Sequence, residues 1–351
     1  MEGKDDSSNE KPSQDEMFDF CGPIHLTNVD WSISEHKRSV AASLVKGVYV
    51  TEIDRQKKRS GHNKLAPKWW EFFHYQPVKT LEDKFDSSIF GIIFQYKPPQ
   101  TNYSAIKDVA QAPKYVIAFR GTLLKKKTAI RDCYLDAKIV LKGLDTSSRY
   151  EMAFHALEEI LLTEDPKNIW LAGHSLGAAI ALHTGKNMAK HGYCLETYLF
   201  NPPYASPSVE KIHNRHLRNG ARLAVGIVKT GLSIALTRKN KRSENDGNDP
   251  FSTLRSWIPW LFVNPEDPIC RDYSGYFEDR GKSMNNLKNS LLNMVVDALG
   301  RDGEAHLIPS AVVIKNMKNT IVKENGLIAA HELCQWWEQH SCWHYKLYKH
   351  N

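Results

Sequence analysis

The chain has 351 residues, a formal charge of +7 and 41% hydrophobic residues, so it is long enough to bury a core without help from disulfides. Its basic residues come in short runs (Gln56–Arg59, Lys125–Lys127 and Arg238–Arg242) rather than in a dense stripe interleaved with aromatics, which excludes nucleic acid as a partner. The six cysteines (Cys21, Cys133, Cys194, Cys270, Cys334 and Cys342) are scattered, and no window approaches about 18 uninterrupted apolar residues, which excludes a disulfide scaffold and a spanning helix.

Residues 1–20 are polar and acidic, lack the apolar stretch of a secretory signal, and read as a disordered leader to one domain over 21–351. The expectation is a cytoplasmic protein with free thiols. Residues 30–54 carry apolar positions at helical spacing (Val40, Leu44, Val48) and predict a helix. The aromatic cluster Trp69–Tyr75 is expected to pack on the core. Ile89–Tyr96 is a β-rich run stopped by Pro98-Pro99, and Tyr115–Phe119 is a short buried strand. Residues 147–163 are amphipathic at helical spacing, and Asn168–Ala172 is another strand. A small-residue helix follows over Ala178–Lys190, then strands at Leu195–Phe200, Trp260–Val263 and Ala311–Lys315. Apolar strands alternating with helices predict an α/β fold with a mostly parallel sheet covered on both faces. An insertion over about 204–258, with an apolar segment at Leu223–Leu236, is expected to form a lid, a pocket wall or a surface for lipid or a protein partner.

Gly173-His174-Ser175-Leu176-Gly177 matches G-x-S-x-G. The string alone is weak, but here it stands between the strand ending at Ala172 and the helix opening at Ala178, the context a nucleophile elbow requires. A serine in that strained turn needs neighbours without bulky side chains, and the following helix offers unpaired amides to a developing oxyanion. Leu176 is thereby one oxyanion donor, and His174 reads as a packing residue. Gly121, directly after the strand Tyr115–Phe119, can turn an N–H toward the same point.

Phe119-Arg120-Gly121-Thr122, followed some fifty residues later by G-H-S-L-G, resembles the class 3 (fungal-type) lipases of the α/β-hydrolase superfamily. Phe200-Asn201-Pro202-Pro203, the stretch Val263–Cys270 and Gln335-Trp336-Trp337 resemble a plant group labelled GDSL esterase/lipase, although no G-D-S-L string occurs. The resemblance implies the α/β-hydrolase fold and a carboxylic ester or lipid substrate. It gives Thr122 the second oxyanion donor and makes Leu123–Arg131 a lid. The Lys125–Lys127 run there is polar where an interfacial lipase shows apolar surface. Asp267 matches the acid of the family's N-x-x-D pattern, with Glu266 and Asp272 as alternatives. His331, a few residues before Trp336-Trp337, matches the base; His306 is the alternative, at the wrong end of a strand. His331, Cys334, Cys342 and His344 lack zinc-site spacing, and no cofactor is expected. Peripheral membrane contact is compatible with the Leu223–Leu236 segment, and a lipase-like binding module without turnover is the second reading.

Overall fold

The computed structural model describes residues 12–98, 112–123, 147–204, 252–281, 307–317, 326–339 and 342–349. The lid segment beyond Leu123, most of the 204–258 insertion including Leu223–Leu236, and His306 lie outside these residues. Eight strands form one sheet in sequential order: β1 Tyr75–Glu82, β2 Ile89–Tyr96, β3 Tyr115–Phe119, β4 Ile169–His174, β5 Glu196–Phe200, β6 Trp260–Val263, β7 Ala311–Asn316 and β8 Trp343–Tyr348. β3 through β7 pair in parallel, while β1, β2 and β8 join antiparallel at the two edges. The mostly parallel sheet expected from the sequence is therefore the sheet that forms.

Burial on both faces explains why the central strands read as continuous apolar runs. Every residue of β4 is buried. One face, with Val116, Ala118, Trp170, Ala172, Phe200 and Phe262, packs against helix α1, Ser34–Gln56. The other face carries Ile117, Phe119, Leu171, Leu199 and Leu261. It is covered by α2, Ser148–Leu161, and α3, Leu176–Lys190. Fully burying one such side chain contributes roughly 1.5–3 kcal/mol. α1 buries small residues, Ala41, Ala42 and Ser43, the last donating to the Trp69 carbonyl at 2.9 Å, and Gly47 lets Trp69 and Trp70 pack against the helix. The aromatic cluster is thus part of the core, as expected.

The sequence reading is corrected at the N-terminus. Residues 14–16 and 18–21 form two short helical turns, with Glu16 and Phe18 buried, so the disordered leader expected over 1–20 does not extend through them. Phe18 meets Trp69 edge-on at 5.1 Å between ring centroids. Arg59 Nη2 and Lys57 Nζ donate to Glu16 at 2.6 and 2.9 Å. Burial alone would raise the Glu16 carboxyl, but bonds from Lys57, Arg59 and Ser13 outweigh it and hold the group below the usual carboxylate range. Among the described residues no helix is long and apolar enough to cross a membrane.

Candidate active site

The site begins where β4 runs into α3. Ser175 has φ 53° and ψ −126°, a left-handed conformation that an L-residue adopts only under strain. The turn is that tight because the flanking glycines are in backbone contact. A Cβ on Gly173 would stand 2.3 Å from the Gly177 carbonyl oxygen, and one on Gly177 would stand 2.3 Å from the Phe119 oxygen. Gly177→Val is therefore expected to destabilise the fold by roughly 3–5 kcal/mol, the range of severe core disruption. A Cβ on Gly192 meets nothing within 4 Å, so Gly192→Ala is expected to cost only the roughly 1–2 kcal/mol of its positive φ. Urea midpoints of the two variants measure the contrast, and equal shifts would contradict this packing.

The same closeness brings the loop after β3 to the serine: a Cβ on Gly121 would be 2.8 Å from Ser175 Cβ. Arg120, buried, fixes this loop through Nε to the Ile89 carbonyl at 2.6 Å and Nη1 to the Gly121 carbonyl at 2.7 Å. Thr122 follows, exposed, and Leu176 opens α3. Among the described residues, no group accepts the N–H of Thr122 or of Leu176. Ser175 Oγ is buried and also lacks a hydrogen-bond partner among the described residues. The serine–histidine bond is thus not formed in this structure.

Asp267 and His331 are brought together. Asp267 follows β6, His331 ends a short helix over Gly326–His331, and His331 Nδ1 stands 2.8 Å from Asp267 Oδ2. Asp267 is completely buried. Burial alone would raise its carboxyl, but His331, Asn201 Nδ2 at 2.6 Å and the Ile269 N–H at 3.0 Å outweigh it and hold the group below the usual range. The alternatives Glu266 and Asp272 are exposed, and Asp272 faces Arg271.

Three supporting groups escaped the sequence reading. Asn201 donates to Asp267 and to the Ala330 carbonyl at 3.0 Å, and accepts from Trp336 Nε1 at 2.6 Å. One amide thereby fixes both the acid and the backbone just before His331. Cys270 lies 3.3 Å from Asp267 Oδ2. Burial, followed by the Asp267 charge, raises its thiol well above the usual range, so it stays a neutral S–H donor. Tyr49 is the third. Its hydroxyl accepts the Gly121 N–H at 2.7 Å, so its own proton points to His174 Nδ1 at 2.8 Å. That leaves Nε2–H of His174 to donate to the His331 carbonyl at 2.8 Å. His174, read as packing, instead ties the elbow to the histidine loop.

Burial and then His331 lower the His174 imidazole to about 3. An unfolded histidine titrates near 6.5, so between about pH 6.5 and 3 the unfolded chain binds the extra proton. Stability is expected to fall with pH across that window by about 1.4 kcal/mol per unit from this group alone. Urea unfolding of parent and His174→Gln at pH 6.5, 5.5 and 4.5 isolates the term. The stability advantage of the parent should shrink at each step, and parallel curves would contradict a neutral buried His174.

Residues 105–222 match the family model for lipase (class 3). An Arabidopsis thaliana protein named as a GDSL esterase/lipase is 39% identical over 350 residues, covering 96% of this chain and 99% of the relative. With its mostly parallel sheet flanked by helices, the chain belongs to the class 3 lipases of the α/β-hydrolase fold, within the plant GDSL esterase/lipase-like group.

Proposed function

We propose that the chain hydrolyses carboxylic esters, with glycerolipids as the substrate class, through Ser175, His331 and Asp267. The observation that carries this reading is the strained, glycine-flanked Ser175 beside a buried Asp267–His331 pair bonded at 2.8 Å. His331, held in one tautomer by Asp267, takes the Ser175 proton through Nε2 as Oγ attacks the ester carbonyl. Oxyanion charge falls on the unengaged N–H groups of Thr122 and Leu176, the latter at the positive end of α3. His331 then gives its proton to the leaving alcohol. Water, deprotonated by the same imidazole, attacks the acyl-serine and releases the acid.

The test is hydrolysis of p-nitrophenyl esters from acetate to palmitate by the purified protein beside His331→Ala. Turnover in the parent, reduced at least 1,000-fold in the variant at a temperature where circular dichroism shows both folded, is the expected result. A second reading, a lipase-like module that binds acyl ligands without turnover, draws on the missing hydrogen bond at Ser175 Oγ. Ester binding with no turnover in a folded parent would favour it.

A further inference from the structure

A cleft of about 490 Å³ opens between the C-terminal end of α1 and the edge strands β1 and β2. That volume is in the range of small-molecule sites, roughly 300–1,000 Å³. Neither Ser175, Asp267 nor His331 lines it, so what it does is independent of the reaction proposed above. It exists because α1 ends before covering the sheet edge. The middle of β1, from Gln76 to Thr80, is exposed, whereas Ile89 and Ile92 of β2 are buried beneath the helix.

The lining divides by chemistry. Its floor is apolar, made by Trp70, Ile89, Ile92 and Pro77. Its rim carries four cations, Arg55, Lys58, Arg59 and Lys64, against one carboxylate, Asp54. Asp54 is already saturated: it accepts the Leu65 and Ala66 N–H groups, each at 3.0 Å, and Arg59 Nη1 at 3.1 Å. Arg59 is further engaged by Glu16 at 2.6 Å, and Arg55 makes a two-pronged bond to Glu52, both contacts 2.7 Å. Among the described residues, no group takes the ammonium of Lys58 or Lys64, and both side chains are exposed. Two available positive charges therefore stand at the mouth of an apolar trough whose own carboxylate is neutralised.

We propose that this cleft binds a single-chain amphiphile with an anionic head, such as a long-chain carboxylate, its chain on Trp70, Ile89 and Ile92 and its head between Lys58 and Lys64. A neutral amphiphile gains nothing from the two solvated ammonium groups and a cationic one is repelled by them, so the site discriminates by head-group charge. Screening by salt weakens an exposed charge contact of this kind, and affinity falls as ionic strength rises.

Titration calorimetry of the full chain with sodium dodecanoate below its critical micelle concentration tests the proposal. The measurement is repeated on a Lys58→Glu/Lys64→Glu double variant and on Thr80→Trp, which places an indole in the trough. The expected result is saturable binding to the parent, weakened at least tenfold in the double variant and in Thr80→Trp, with p-nitrophenyl ester hydrolysis unchanged in both. Dodecyltrimethylammonium should bind at least tenfold more weakly than dodecanoate. Equal dodecanoate affinity in all three proteins, or equal affinity for the two surfactants, would overturn the proposal. So would sedimentation with phosphatidylserine vesicles that depends on Lys58 and Lys64 while free dodecanoate fails to bind, because the cations would then serve a membrane surface.

Discussion

Ser175→Ala is expected to lower kcat for ester hydrolysis roughly 10,000- to 1,000,000-fold, the scale on which loss of an activated nucleophile is felt. The substitution removes one oxygen from a buried site where it has no hydrogen-bond partner among the described residues, so no bond among them is broken. Stability should therefore stay level or rise slightly, since a buried hydroxyl without a partner costs free energy. The backbone strain remains, because alanine inherits the same φ of 53°. Kinetics and a thermal melt on one preparation check both halves. Residual activity within tenfold of the parent would remove Ser175 from the chemistry, whatever the fold.

The second large effect is expected at Asp267. Asp267→Asn keeps the shape of the side chain but places an amide where His331 Nδ1 and Asn201 Nδ2 both approach the acid oxygen, at 2.8 and 2.6 Å. If the amide oxygen takes the Ile269 N–H in place of Oδ1, its NH2 group faces His331 and Asn201, so the His331 tautomer and ring orientation are no longer fixed. A fall in kcat of about 1,000- to 10,000-fold is expected, with KM changed less than threefold, because the carboxylate acts on the base and not on bound substrate. The acid pH limit of the parent also has a sign. The Asp267 carboxyl is held below its ordinary range, so its contribution to stability is present above about pH 4 and is lost as pH falls through the lower folded value. A variant with kcat within tenfold of the parent would show that Asp267 only packs.

Much of this architecture was legible because burial on two faces leaves a plain mark. β4 opens on the apolar run Ile169–Ala172, β5 closes on Tyr198, Leu199 and Phe200, and α3 announces itself by Gly173, Gly177 and the alanines after them. The two edge strands were not legible. β1 exposes its middle five residues and contains Pro77, and β8 exposes His344 to Leu347, so neither carries an apolar run or clean alternation. Asp267 and His331 were expected from the family resemblance, and the structure brings the two side chains together at 2.8 Å. Tyr49 and Asn201 were not, because their roles depend on contacts between residues 125 and 129 positions apart, which local pattern does not encode. The short helical turns over 14–16 and 18–21 were not legible for a related reason. A segment rich in Ser, Asp and Glu looks solvated until Arg59 and Lys57 are seen to bury Glu16.

The central claim is that Ser175 is an activated nucleophile, and covalent labelling by a fluorophosphonate tests it without knowledge of the substrate. The reagent phosphonylates only a serine whose proton is taken by a base and whose oxyanion is stabilised. The account predicts that peptide mapping of the labelled full chain finds the adduct on Ser175, with labelling lost in Ser175→Ala and strongly slowed in Asp267→Asn. A folded parent that stays unlabelled, or an adduct on any other residue, would contradict it.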